Sequence, residues 1–111
     1  MEKFVKGDIV VFPFPFSDLS DSKKRPALVL SSLEGEDLIL CLITSSQIRK
    51  DKYSLPIDNF DFLNGKLTLS SLIRANRLFT ASQSIIKYKI GSIKNSKLNQ
   101  VLSFVCDIIK N

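Results

Sequence analysis

The chain has 111 residues, 44% hydrophobic and 24% charged, with a net charge of +5 at neutral pH. That is the composition of a soluble globular protein forming a single domain over residues 1–111, large enough for a modest core. No apolar run approaches the ~20 residues that cross a bilayer, there is no histidine, and Cys41 and Cys106 form no Cys-x-x-Cys pair, so a zinc site lacks ligands and no cofactor motif is present.

The distribution of charge says more than its total. Residues 1–61 hold eight Lys/Arg against ten Asp/Glu, a balance of −2, whereas residues 62–111 hold eight Lys/Arg against Asp107 alone, a balance of +7. A basic half favours polyanions, because neutralising phosphates releases counterions. Met1–Lys6 is mixed in character, unlike a cationic-then-apolar signal peptide, so the expected location is cytoplasmic, with no membrane partner. Both cysteines lie in apolar surroundings and read as buried free thiols.

Ile9–Phe14 reads as a strand. The run Phe12-Pro13-Phe14-Pro15-Phe16 places two prolines where a central ladder needs donors, so it is an edge or a strand exit, its rings covering the core. Ser17–Lys24 is polar and reads as a mobile loop, and Ala27–Ser31 as a buried strand. Leu33–Asp37 is a hairpin turn, and Leu38–Ile43 is continuously apolar, as in a central strand buried on both faces. Thr44-Ser45-Ser46-Gln47 ends that strand with hydroxyls and an amide, and a charged loop follows over Ile48–Lys52. Tyr53–Ile57 is a short edge strand limited by Pro56, and Asn59–Gly65 a turn.

Leu67–Phe79 is a further strand region carrying Arg74 and Arg77. Ser84–Ile90 alternates, with Ile86, Tyr88 and Ile90 on one face and Lys87 and Lys89 on the other, and Gly91 breaks it. Asn95-Ser96 caps a terminal helix whose Leu98, Val101, Leu102, Val105, Ile108 and Ile109 recur at helical spacing as a core-facing stripe. Several short strands followed by one helix predict a mainly β protein, a small and strongly bent antiparallel sheet or barrel with a C-terminal helix.

The groups with chemical potential are arginines and hydroxyls at strand ends. Lys23-Lys24-Arg25 closes the first loop, and Pro26 holds Arg25 extended. A planar guanidinium in that position suits a phosphate, although three adjacent cations are also what a solvated hairpin loop carries. RNA is cleaved without metal when its 2′-hydroxyl attacks the adjacent phosphate, and the enzyme then supplies positive charge and hydrogen-bond donors. Arg25, Arg74, Thr44, Ser45 and Ser46 are groups of that type, with ordinary strand-end capping as the alternative.

Taken together, Gly7-Asp8-Ile9-Val10, Phe14-Pro15-Phe16-Ser17-Asp18-Leu19 and Arg25-Pro26-Ala27-Leu28-Val29-Leu30 resemble the start of the MazF/PemK family of toxin endoribonucleases, from about Lys6 to the C-terminal helix. The resemblance implies an SH3-like barrel of the CcdB/MazF/Kid type and a toxin of a type II toxin–antitoxin pair. It implies a ribosome-independent, metal-independent and sequence-specific mRNA interferase that cleaves single-stranded RNA to a 2′,3′-cyclic phosphate. It also implies a homodimer and a cognate antitoxin with an acidic tail.

Residue by residue, the family's arginine before the Pro-Ala-Leu-Val strand falls on Arg25, and its strand-end threonine on Thr44. Its Arg-x-Asp pair falls on Arg74 and Asn76, with asparagine standing for aspartate. Asn76 can position a hydroxyl or a base but cannot accept a proton. Lys23, Lys24, Ser45, Ser46, Gln47 and Arg77 are the expected RNA contacts. Asp18 is a candidate loop acid, and Asp8 a structural anchor of its turn. Two alternatives stay open: an inactive SH3-like module of the same family that binds nucleic acid or protein, and a CcdB-like gyrase poison. The latter's Trp-Gly-Ile ending is absent from Ile108-Ile109-Lys110-Asn111.

Overall fold

The computed structural model describes residues 3–14, 23–45 and 51–111, the side chains of 14 and 23 excepted. Its strands are β1 (Asp8–Phe14), β2 (Lys23–Ser32), β3 (Asp37–Thr44), β4 (Ser54–Ile57), β5 (Phe62–Asn64), β6 (Ser71–Ser82) and β7 (Tyr88–Ile93), followed by helix α1 (Asn95–Lys110). They form one antiparallel sheet in the order β4-β6-β3-β2-β1-β7-β5. The two edge strands, β4 and β5, are consecutive in the chain and joined by a 3-10 turn over Asn59–Asp61. The stretch from Ile57 to Phe62 spans at most about 18 Å. A seven-stranded sheet with its edges tied so closely must curl, and the result is a half-barrel.

Both faces of the sheet are buried over its centre. On one face Ile9, Leu28, Cys41, Ile43 and Ile73 pack with Leu98, Val101 and Val105 of α1. Each such side chain contributes about 1.5–3 kcal/mol on burial. On the other face Val10, Phe12, Ala27, Val29 and Leu40 pack with Phe4, Phe79 and Ile86. Phe12 and Phe79 meet with ring centroids 4.9 Å apart. The expectation of core rings thus holds at Phe12, while the side chain of Phe14 and the whole of Phe16 lie outside the described residues. The unbroken apolar run of β3 serves both faces at once.

Pro13 is accommodated because β7 leaves β1 at Val11, so beyond that point β1 pairs with β2 alone. Several boundaries differ from the sequence expectation. Lys23 and Lys24 belong to β2 rather than to a loop, since they pair with Phe14 and Pro13; residues 17–22 of that loop, and 48–50 of the next, lie outside the described residues. Asn59–Gly65 is not only a turn, because β5 forms against β7, a pairing that no local pattern announces. The expected strand over Ser84–Ile90 begins at Tyr88, after a 3-10 turn at Gln83–Ile85.

Gly91 does not end that strand. It pairs with Ile9 inside β7, where β5 crosses so closely that a side chain would strike the Asn64 carbonyl. Helix α1 is capped by Lys94, with no side-chain cap bond, rather than by Asn95-Ser96. Ile109 is exposed at the end of its stripe, and Cys106 is exposed while Cys41 is buried, both as free thiols. Ile108 still packs on the core cluster, so the core-facing side of α1 runs through Leu98, Val101, Val105 and Ile108, and Cys106 and Ile109, each one residue past a position on that side, face solvent.

Candidate active site

The register of three adjacent strands assembles the candidate residues. Arg25 pairs with Phe12 on β1, so alternation places it on the Phe12 face with Ala27 and Val29. Ala27 pairs with Leu42 on β3, and the same register carried two residues further sets Arg25 opposite Thr44. Thr44 pairs with Leu72 on β6, and Leu42 with Arg74. One face at one end of β2, β3 and β6 therefore carries Arg25, Thr44 and Arg74. Strands lie about 4.8 Å apart, so the two arginines are separated laterally by roughly 10 Å. Helix α1 packs on the opposite face and leaves this one uncovered by it.

Arg74 is 7% exposed, an unusual environment for a guanidinium. Its Nη2 donates to Asp51 Oδ2 at 3.4 Å. Asp51 was not among the residues singled out by sequence. Its other oxygen, Oδ1, accepts the Tyr53 backbone N–H at 2.9 Å and the Ser54 hydroxyl at 3.1 Å. The Tyr53 N–H above all holds the Asp51 carboxyl below the usual carboxylate range against the opposing effect of desolvation, with smaller contributions in the same direction from the Ser54 hydroxyl and the charges of Arg74 and Arg77. An aspartate two residues before a backbone donor at the entry to a strand is an Asx turn, a signal that sequence reading can find. Its contact with Arg74 is not.

The remaining candidates are dispersed. A register shift between Cys41 and Leu42 leaves Ala75, Asn76 and Arg77 outside the ladder, so the pattern Arg74-Ala75-Asn76 does not continue as simple alternation. Asn76 and Arg77 are exposed. Asn76 lines a cleft of about 550 Å³ with Lys52, Tyr53 and the end of α1, at Phe104, Asp107, Ile108 and Asn111. Lys24 is exposed, and its Nζ stands 5.9 Å from the centroid of the Tyr88 ring, which is half exposed. Lys23 opens β2, and Ser45 is exposed just beyond β3. Ser46, Gln47 and Asp18 lie outside the described residues.

Asp8 is buried, and its carboxylate accepts the Val5 N–H and the Ser92 hydroxyl, each at 3.0 Å, as a structural anchor does. Among the described residues, no three His, Cys, Asp or Glu side chains are grouped to hold a metal ion, and no helix is long and apolar enough to cross a membrane.

Solved structures share this architecture. An endoribonuclease in complex with its cognate antitoxin, from a mycobacterial species, superposes with a TM-score of 0.74 at 12% identity, over 96% of this chain and 94% of that one. MazF from Deinococcus radiodurans gives 0.72 at 18% identity, over 100% of both chains. The Mycobacterium tuberculosis toxin MazF-mt6 gives 0.69 at 17% identity, over 93% of this chain and 96% of that one. At such identities the likeness establishes the fold alone. A sequence comparison with curated proteins finds no match. The family described as "PemK-like, MazF-like toxin of type II toxin–antitoxin system" matches residues 5–109. That match takes in every strand and nearly all of α1, and with it the chain belongs to the PemK-like, MazF-like family of type II toxins.

Proposed function

We propose that this protein is an endoribonuclease toxin that cleaves single-stranded RNA, sequence-specifically and without ribosome or metal, and that a cognate antitoxin neutralises it. The observation that carries the reading is the register that sets Arg25, Thr44 and Arg74 on one face of β2, β3 and β6. In-line attack by a ribose 2′-hydroxyl forms an O2′–P bond and breaks the P–O5′ bond. It leaves a 2′,3′-cyclic phosphate and a 5′-hydroxyl, the 2′ proton being lost to a base and a proton gained by the departing oxygen.

Negative charge accumulates on the phosphorane oxygens, and two arginines carried on strands roughly 10 Å apart laterally, with long side chains on one face, can flank such a phosphate. Arginine stays protonated, so Arg25 and Arg74 are assigned phosphate binding and transition-state stabilisation, and the Thr44 hydroxyl orients the phosphate or the nucleophile. Lys24, which pairs with Pro13, and the half-exposed Tyr88, which pairs with Val11, stand on the reverse face of the sheet from Arg25, where a single strand passing around this end would meet a cation and a ring; Arg77 is exposed as well. A homodimer and an antitoxin with an acidic tail are part of the same proposal. The antitoxin-bound relative and the +7 balance of residues 62–111 support an acidic partner.

The test is cleavage of a long single-stranded RNA in EDTA by wild type, Arg25→Ala and Thr44→Ala. Discrete cuts by wild type, absent from both variants, are the expected result. RNA left intact by folded wild type would favour an inactive binding module instead, a reading to which the Asn76 position gives a specific reason.

A further inference from the structure

We infer that Asp51 is the positioning residue for Arg74, fixing one end of its guanidinium in the orientation that serves the phosphate; this rests on the reading under Proposed function. Asp51 reaches Arg74 Nη2 at 3.4 Å from the segment between β3 and β4. A nearly buried guanidinium is costly unless its charge is compensated, and long side chains lose much of their usefulness when free to rotate. Here the compensating carboxylate is itself fixed. Oδ1 is held by the Tyr53 N–H and the Ser54 hydroxyl, and this leaves Oδ2 for Arg74.

The segment is tied back to β6 just after Asp51. Ser54 pairs with Arg74 across β4 and β6, and the Ala75 N–H donates to the Tyr53 carbonyl at 3.0 Å. The chain thus builds a rigid cradle of the kind a reactive site requires. At 3.4 Å, and with the Asp51 side chain 42% exposed, the pair orients Arg74 without burying the carboxylate against it. The Tyr53 N–H, foremost, holds the Asp51 carboxyl below the usual carboxylate range and so favours the charged form that faces Arg74.

Two effects of removing the carboxylate oppose each other, and this makes the inference decidable. Loss of a negative charge beside a polyanion favours RNA binding. Loss of orientation at Arg74 slows the chemical step. The experiment is steady-state cleavage of a short RNA by wild type, Asp51→Asn, Asp51→Glu and Ser54→Ala, with thermal melting of each. The expected result is a kcat for Asp51→Asn lower by about ten- to a hundredfold, with KM unchanged or lower. Asp51→Glu should recover part of the rate, and Ser54→Ala should lose a few-fold in kcat.

A wild type that cleaves, with a folded Asp51→Asn of equal kcat, overturns the role of Asp51 and leaves the proposed function standing. A raised KM at unchanged kcat also overturns it, since that is a binding role. If Asp51→Asn does not fold, wild-type kcat in both Asp51→Glu and Ser54→Ala overturns it. A wild type that leaves every RNA intact removes the proposed function and the Asp51 role together.

Discussion

Lys24 Nζ stands over the Tyr88 ring, 5.9 Å from its centroid, one residue before Arg25 in the chain. The pair joins two strands that do not touch each other, since β2 and β7 both flank β1. A cation over an exposed ring contributes about 0.5–1 kcal/mol to stability, which is little. A half-exposed aromatic beside a basic strand end is worth more to a single-stranded polyanion, whose bases stack at about 1–3 kcal/mol each. Tyr88→Ala is therefore expected to weaken RNA binding roughly five- to hundredfold, and Tyr88→Phe to leave it nearly unchanged. Lys24→Ala should lower the slope of log affinity against log salt by about 0.7. Fluorescence anisotropy with labelled RNA in an Arg25→Ala background measures both, and an affinity unmoved by Tyr88→Ala removes the ring from the RNA path.

The close approach of β5 to β7 gives a prediction about stability alone. A Cβ on Gly91 would lie 2.3 Å from the Asn64 carbonyl oxygen and 2.9 Å from the Gly65 Cα. Both obstacles are backbone, so relief requires β5 to move away from β7. Gly65 has φ +77°, which itself favours glycine. Gly91→Ala should cost about 1–3 kcal/mol, or roughly 4–8 °C in Tm for each kcal/mol. Calorimetry or a thermal melt decides it, and a Tm within a degree of wild type would mean the two strands part without cost.

The same crossing marks the limit of what the sequence discloses. Where a segment has its own period or apolar length, as Leu38–Ile43 and the Leu98–Val105 stripe do, the element and its burial were legible. Where an element exists only through a distant partner, they were not. Phe62–Asn64 is a strand because β7 pairs with it, and Gly91 stays in β7 because Gly65 leaves room. The site divides in the same way. The placing of Arg25 and Thr44 at strand ends follows from local runs, and their opposition from the register. The Arg74 contact with Asp51 spans 23 residues, beyond any local pattern. Ala75–Arg77 leaves the ladder at a register shift, which simple alternation does not foresee.

Asp8 offers a stability test outside the candidate site. It is 3% exposed, accepts the Val5 N–H and the Ser92 hydroxyl, and has Lys89 Nζ at 3.8 Å. Asparagine would keep the shape, remove the charge that faces Lys89 and turn an amide donor toward one of the two donors. Asp8→Asn should lower the unfolding free energy by about 1–3 kcal/mol and leave RNA cleavage by the folded protein intact. Urea unfolding reads the first and a cleavage time course the second. A cleavage rate that falls with no loss of stability would assign Asp8 to the site instead.

The two cysteines should behave oppositely. Cys106 is exposed on α1, while Cys41 is buried at the centre of β3, where desolvation pushes its thiol up from 9.0 to about 12. One thiol should therefore react with a disulfide reagent in the native protein and two after unfolding. The raised value also carries a sign. Between pH 9 and 12 the unfolded chain gives up the Cys41 proton while the folded chain keeps it, so the unfolded state binds fewer protons and stability falls as pH rises. Below pH 9 both states hold the proton and this contribution is constant. The slope is at most about 1.4 kcal/mol per pH unit, and Cys41→Val should remove it without adding a group that titrates there. Urea midpoints measured from pH 8 to 10.5 on both proteins test this, and parallel curves would show that Cys41 ionises as readily folded as unfolded.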